Sequence, residues 1–104
     1  MSVYFVITYD IENEEEYKYY NPDSNHITAA TVMKHLGEIL SVGENSIQLH
    51  GNKQSMKVII KFPNKQNALD WYDDPEYAEA KTIRLGSTKN TNAFIIDELT
   101  VPSA

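Results

Sequence analysis

The first apolar segment of the chain, Val3 to Tyr9, restricts the possible folds most strongly, because it is apolar on both sides. β-Branched and aromatic residues dominate the segment, which is typical of a β-strand. Successive side chains of a strand point to opposite faces. One face therefore carries Val3, Phe5, Ile7 and Tyr9, and the other carries Tyr4, Val6 and Thr8. A sheet built around this strand needs a covering layer on each side.

The next segments have the patterns of helices. The acidic stretch Glu12 to Tyr20 suits a short helix that breaks near Pro22, since the residue before a proline avoids helical geometry. Ser24 or Asn25 can cap a second helix, and Gly37 fits its end. The i, i+3, i+4, i+7 spacing predicts a buried stripe formed by Ala29, Val32, Met33 and Leu36.

The second half of the chain alternates again between strands and helices. Strands are predicted at residues 39–42, 47–49, 56–62 and 93–99. Asn64 can cap a short helix through Tyr72, and Asp74 followed by Pro75 begins a helix that runs to about Leu85. This order matches the split β-α-β-β-α-β arrangement, so the sequence predicts an α+β, ferredoxin-like sheet with its helices on one face.

The face without helices indicates a homodimer. One possibility is that it carries the set Tyr4, Val6, Ile59, Phe94 and Ile96, and the other is that it carries the residues that alternate with this set along the strands. Either set is too apolar to remain in water, and a second copy of the sheet is the simplest cover. The alternative cover is the C-terminal tail or a folded-over loop.

Composition limits the classes of protein to which the chain can belong. Its 104 residues, 41% of them hydrophobic, suit one domain at residues 1–99, followed by a flexible tail at 100–104. The absence of cysteine excludes disulfides and thiolate chemistry and fits a cytoplasmic location. The net charge of −6 repels phosphate backbones and anionic lipids, and no segment is long enough to span a bilayer. We therefore expect neither a nucleic acid nor a membrane as a partner.

No metal or cofactor is predicted. His26 and His50 have no partner at metal-ligand spacing, and no glycine-rich phosphate loop occurs. Two acidic clusters occupy predicted helix starts, where carboxylates complement the helix dipole. These clusters are Glu12, Glu14, Glu15 and Glu16, and Asp73, Asp74, Glu76 and Glu79.

Several short motifs resemble the signature of the bacterial domain of unknown function 1330 family. They are Phe62-Pro63, Ala68, Trp71-Tyr72-Asp73-Asp74-Pro75-Glu76-Tyr77, Lys81, Arg84 and Ser87, with earlier landmarks at Tyr17, Tyr20, His35-Leu36-Gly37 and Gly51. The resemblance extends from Val3 to Glu98. It implies membership of the dimeric α/β-barrel superfamily, which supports the fold and the dimer.

Four positions depart from that pattern. The family usually has a second glycine at Leu36, a basic residue at Glu38, an acid at Lys61 and a serine at Asp74. If the usual acid lines a pocket in relatives, Lys61 inverts the charge of that pocket.

Arg84 and His35 are the candidate catalytic residues. Arg84 lies seven residues after Tyr77 and four after Ala80, which places an obligate cation on an apolar helix stripe. Its anion is either a ligand carboxylate or one of the protein's own carboxylates. His35 lies near a helix C-terminus, where a neutral pocket base and a protonated helix cap are both reasonable.

The candidate ligand-binding residues are three aromatic and two polar side chains. They are Trp71, Tyr72, Tyr77, Lys61 and Ser87. The aromatic side chains meet around the turn between two helices, and a cavity between helices and sheet is the default small-molecule site in such a fold. Ser87 lacks the histidine and acid spacing of a serine nucleophile.

Two functions remain open. The superfamily that the resemblance implies includes monooxygenases, isomerases and decyclases, which favours a small-molecule-binding protein or a cofactor-independent enzyme acting on an acidic or enolisable substrate. The alternative is a non-catalytic dimeric binding or regulatory module, in which the same residues are structural.

Overall fold

The protein was examined as a computed structural model, which describes residues 1–18 and 26–99. Four strands and four helices follow one another along these residues. Their bounds are β1 Val3–Ile11, α1 Glu14–Tyr17, α2 His26–Lys34, β2 Glu38–Gly43, β3 Met56–Phe62, α3 Lys65–Tyr72, α4 Pro75–Ser87 and β4 Thr88–Asp97.

The strands form one antiparallel sheet in the order β2-β3-β1-β4. The central strand β1 pairs with β3 through Phe5 opposite Ile60, and with β4 through Phe5 opposite Ile95. β3 and β4, which α3 and α4 connect in sequence, thus lie on either side of β1, and β2 lies at the edge beside β3. This is the predicted β-α-β-β-α-β topology. The fold is α+β and ferredoxin-like, as expected.

One face of the sheet carries the hydrophobic core. Alternate side chains of the two central strands are buried there beneath the helices: Val3, Phe5, Ile7, Tyr9, Met56, Val58, Ile60 and Phe62. Phe5 makes an edge-to-face contact with Trp71, with ring centroids 5.3 Å apart. The alternation predicted for β1 is confirmed, because the period of two is a local property of the extended chain.

The opposite face of the sheet, called the open face below, has no helix over it within the described residues. Its apolar members are Tyr4, Val6, Ile59, Phe94 and Ile96, which the register places side by side on three strands. Phe94 and Ile96 are 50% and 54% exposed. Of the two alternatives, the set that contains Tyr4, Phe94 and Ile96 is therefore the uncovered one.

Two helix starts follow the sequence closely. Asn64 accepts a hydrogen bond from the Asn67 amide at 2.8 Å, and Asp74 accepts one from the Glu76 amide at 2.8 Å. Pro75 occupies the first turn of α4, where its missing N–H leaves no donor unsatisfied. α4 continues to Ser87, two residues beyond the prediction.

The predicted buried stripe of α2 is wrong in part. Met33 and Leu36 are each 72% exposed, and the helix buries Thr28, Thr31 and Val32 instead. The Thr31 hydroxyl donates to the carbonyl of Ile27, so burial leaves its polar group satisfied. A hydrophobicity pattern does not predict the burial of a threonine whose hydroxyl is hydrogen-bonded within its own helix.

Three other boundaries differ from the prediction. Residues 47–49 form no strand and pair with none of the four strands. β4 begins at Thr88 rather than Ala93, and α1 is limited to Glu14–Tyr17. The predicted cap residues Ser24 and Asn25 and the tail at 100–104 lie outside the described residues.

Candidate functional site

The structure separates the predicted site residues into three groups. Arg84, Trp71, Tyr77 and Ser87 are fully buried between the helices and the sheet. Lys61 lies on the open face, opposite Tyr4 on β1. The other two predicted residues, Tyr72 and His35, are half-buried.

Arg84 belongs to a buried group of polar side chains, called the tyrosine–arginine cluster below, with Tyr9 and Tyr17. Its guanidinium carbon lies 6.0 Å from the ring centroid of Tyr9. The Tyr9 and Tyr17 hydroxyls are hydrogen-bonded at 2.5 Å. Arg84 and Tyr9 are 0% exposed, and Tyr17 is 8% exposed. A permanent cation and two phenols thus share one desolvated space.

The positions of these residues follow from their elements. α4 buries Tyr77, Ala80, Arg84 and Ser87, positions that recur on one helix face and predict the stripe correctly. Tyr9 is the last fully buried residue in the alternation of β1. Tyr17 ends the four-residue helix α1, which packs against α4.

Burial controls the electrostatics of the cluster. Desolvation is the main cause that raises the pKa of Tyr9 far above its ordinary value, and the hydrogen bond with Tyr17 raises it further. The positive charge of Arg84 acts in the opposite direction but does not reverse the shift. Tyr9 is therefore a neutral phenol near neutral pH and acts as a hydrogen-bonding group, not as a base.

The three predicted aromatic residues, Trp71, Tyr72 and Tyr77, pack against one another. Trp71 stacks on Tyr77 with ring centroids 4.4 Å apart, and its indole N–H donates to the Thr31 hydroxyl at 3.2 Å. Lys81 lies 4.4 Å from the Tyr72 ring centroid and donates to the Tyr72 carbonyl at 2.8 Å. Trp71 is consequently held by packing and by a polar contact with α2.

Ser87 connects α4 to the turn after β1. Its hydroxyl donates to the Ile83 carbonyl at 2.7 Å, and its own carbonyl accepts from the Glu12 and Asn13 amides at 2.8 and 3.0 Å. These bonds place the start of α1 over the end of α4. Ser87 therefore helps to position Tyr17 within the tyrosine–arginine cluster.

His35 lies at a second location, where α2 meets the start of α4. Its Nε2 donates to Oδ2 of Asp74 at 2.6 Å, and the Lys34 ammonium lies 3.0 Å from the same oxygen. These contacts, led by the His35 hydrogen bond, lower the pKa of the Asp74 carboxyl to about 2. Arg84 follows Asp74 by ten residues, about 15 Å along a helix. His35 and Arg84 therefore do not form one compact site.

A groove of about 340 Å³ lies beside this second location. Its lining is mostly apolar and consists of Ile27, Ala30, Thr31 and Glu76. Glu76 also contacts Lys34 at 3.4 Å, which places an ion pair at the edge of the groove.

Lys61 makes its contacts on the open face. Its ammonium lies 3.1 Å from the Glu98 carboxylate, which also accepts from the Tyr4 hydroxyl at 3.2 Å. The hydrogen bond with Glu98 raises the pKa of Lys61. The sheet itself therefore separates Lys61 from the tyrosine–arginine cluster.

Sequence reasoning missed three members of these groups. The alternation of β1 assigns Tyr9 only to a face of the strand, although an inward-facing tyrosine at the end of a strand brings a polar group that needs a partner. The sequence marks Tyr17 only as a family landmark and Asp74 only as a helix cap. No local signal connects the last two residues to their partners, because these contacts form only in the folded chain.

Two further absences hold for residues 1–18 and 26–99. No group of three histidine, cysteine or acidic side chains there is close enough to hold a metal ion. No helix of this part is long and apolar enough to cross a membrane.

Solved structures with the same fold include several proteins of unknown function. A protein of unknown function from Rhodopseudomonas palustris superposes with a TM-score of 0.75 at 14% identity, over 96% of this chain and 84% of that chain. A dimeric ferredoxin-like protein of unknown function from Jannaschia sp. gives a TM-score of 0.76 at 13% identity, over 94% and 100%. SnoaB, a cofactor-independent oxygenase from Streptomyces nogalater, gives 0.61 at 13% identity, over 98% of each chain. At these identities the similarity establishes the fold alone.

Sequence comparison identifies the family more directly. A search of curated proteins finds no match. The family model for the domain of unknown function DUF1330 matches residues 2–99, nearly the whole chain. The predicted family resemblance is confirmed, and the chain belongs to the DUF1330 family.

Proposed function

We propose that the protein is a homodimer in which each copy binds a small organic molecule at the tyrosine–arginine cluster, with Arg84 as the anchor. The complete burial of the Arg84 guanidinium beside Tyr9 carries this proposal. Arginine remains charged in proteins and presents several N–H donors in a fixed planar fork. A ligand carboxylate or enolate could accept two parallel hydrogen bonds from that fork.

The proposed chemistry is stabilisation of negative charge. Tyr9 stays protonated because burial raises its pKa, so a ligand would meet a neutral hydrogen-bonding group and a fixed cation in a dry site. Such a site lowers the energy of an enolate that forms from an enolisable substrate. Enolate formation is common to isomerisation and to direct attack of a carbanion on molecular oxygen. The shared fold with SnoaB supports this class of chemistry by analogy only.

The other predicted site residues have different places in the proposal. Trp71, Tyr72 and Tyr77 would form the aromatic wall, and Ser87 would support α1. The catalytic role of His35 stays a prediction, since its contact with Asp74 fits helix-end packing as well. Lys61 would act in the interface between copies rather than at the ligand.

The open face supports the homodimer. Phe94 and Ile96 expose about half of their surface beside Val6 and Tyr4, and such a contiguous apolar patch marks an interaction surface. Structural relatives from Jannaschia sp. and Bacteroides fragilis are described as dimeric ferredoxin-like proteins. A second copy facing the open face is the assembly that we propose here.

A non-catalytic dimeric module is the second candidate function. Three of the predicted ligand-binding residues, Trp71, Tyr77 and Ser87, are fully buried and packed against their own chain. This burial favours a structural role for them. In that case Arg84 would serve only to stabilise the fold.

Native mass spectrometry and thermal shift separate the two candidates. The wild-type dimer is expected to carry the mass of a small molecule, or to gain thermal stability with benzoate or acetylacetone as acidic and enolisable probes. Arg84→Met should remove both effects, whereas Lys65→Met, which removes an exposed cation of α3, should keep them. Circular dichroism checks that each variant is folded.

The contrary result is equally clear. A wild-type dimer without added mass and without a response to either probe contradicts the ligand site. A loss of about 3 kcal/mol of unfolding free energy in Arg84→Met would then assign Arg84 to structure, since breaking a buried charge pair has a cost of that order.

A further inference from the structure

The loop between β2 and β3, residues 44–55, presents two large aliphatic side chains to solvent. Ile47 is 86% exposed and Leu49 is 90% exposed, more than any other large hydrophobic side chain within residues 1–18 and 26–99. Exposed single apolar residues are ordinary, but two such residues at the tip of one loop form a patch.

The base of this loop is fixed to the sheet. Asp10 accepts hydrogen bonds from the Ser55 amide through Oδ1 and from the Asn90 side chain through Oδ2, each at 3.0 Å. Gln54 also donates to the Asn90 carbonyl at 2.5 Å. The loop therefore leaves the sheet from an anchored position.

The anchor lies on the side of the open face. Tyr9 and Ile11 pack toward the core, and Asp10 lies between them in β1. Because strand side chains alternate, the Asp10 carboxylate points to the opposite side. The base of the loop is thus hydrogen-bonded to a side chain on the same side of the sheet as Phe94 and Ile96.

The apolar part of the open face covers only part of a standard interface. Four strands at about 4.8 Å spacing are about 19 Å wide, and the nine residues of β1 are about 30 Å long. This rectangle of about 570 Å² is a projected area that includes polar positions such as Thr8 and Lys57. Each partner in a standard interface buries roughly 800 Å² of accessible surface, so adjacent apolar surface would enlarge the contact.

We propose that the β2–β3 loop of each copy completes the homodimer interface by packing Ile47 and Leu49 against the partner copy. This inference rests on the proposed homodimer. In a two-fold dimer both loops make the same contact, so each copy covers apolar surface of the other. The occupant of the exposed loop patch is a second copy of this chain.

Substitution at the loop tip tests the inference. The double variant Ile47→Ser/Leu49→Ser is compared with the wild type by sedimentation velocity over a dilution series. Removing two buried aliphatic side chains should raise the dimer dissociation constant at least about tenfold. Met33→Ser and Leu85→Ser, which change exposed apolar residues of α2 and α4, are the matched controls and should leave it unchanged.

A second measurement uses the absence of cysteine from the chain. In Leu49→Cys the introduced thiol is the only one, and its alkylation should be slow in the dimer and faster on dilution. Unchanged dimerisation of the double variant, with alkylation that does not depend on protein concentration, overturns the loop inference and leaves the dimer intact. A wild-type chain that is monomeric at every concentration overturns the dimer and the loop inference together.

Discussion

At the scale of single residues, the end of α2 shows a backbone conformation that its side chain does not favour. Leu36 has a φ of 63°, in the left-handed region, and its side chain is 72% exposed. The glycine at position 37 is explained by the space around it and not by its backbone conformation. A Cβ at that position would lie 2.6 Å from Phe62 and 2.7 Å from Val32. The helix-ending conformation that the sequence suggested for Gly37 is thus adopted by Leu36.

Leu36→Gly is expected to stabilise the protein. Leucine in the left-handed region costs roughly 1–2 kcal/mol, and part of that gain is lost because glycine adds freedom to the unfolded chain. The free energy of unfolding, measured by urea denaturation, should rise by about 0.5–1 kcal/mol.

Met33→Gly is the matched control for this substitution. Met33 is equally exposed but lies within α2, where glycine should lower the free energy of unfolding by about 1 kcal/mol. A loss of stability in both variants would contradict the strain assigned to Leu36.

At the scale of elements, α2 and α4 are joined by charges at one helix end. Asp74 caps α4 through the Glu76 amide and also contacts His35 and Lys34. The pKa of its carboxyl falls from the ordinary value of 3.8 to about 2. A lowered carboxyl pKa contributes stability that is present above pH 3.8 and is lost as pH falls toward 2.

Asp74→Asn is expected to remove that pH dependence. Asparagine is as good a helix cap as aspartate, so the substitution keeps the cap and removes the charge. The wild type should be more stable than the variant at pH 6, and the two curves of unfolding free energy should converge between pH 4 and 2. Asp73→Asn makes the same change of net charge at an exposed neighbour and should follow the wild type. Parallel curves down to pH 2 would refute the assignment.

Elements also show which parts of the fold could be predicted. The faces of β1, the bounds of β3 and the caps Asn64 and Asp74 depend on local periodicity or on neighbours in sequence, and these predictions are correct. The burial of α2 depends on Trp71, which needs a hydrogen-bond acceptor and finds Thr31, forty residues away in sequence. Residues 47–49 have strand-like composition, but they pair with none of the four strands.

The candidate site was predictable only in part for the same reason. Arg84 could be identified from its position on the apolar stripe of α4. Its contact with Tyr9 joins elements far apart in sequence, and the separation of Lys61 from Arg84 by the sheet follows only from the register of β1 and β3.

At the scale of the whole molecule, the open face should couple folding to assembly. If Phe94 and Ile96 become buried only in the dimer, the thermal midpoint of the wild type should rise with protein concentration, because association stabilises the folded state by mass action. Phe94→Ser/Ile96→Ser should lose this dependence and sediment as a monomer. Leu85→Ser, on the helical side, should keep it. A wild-type midpoint that is constant from micromolar to millimolar protein would mean that no second copy covers the open face.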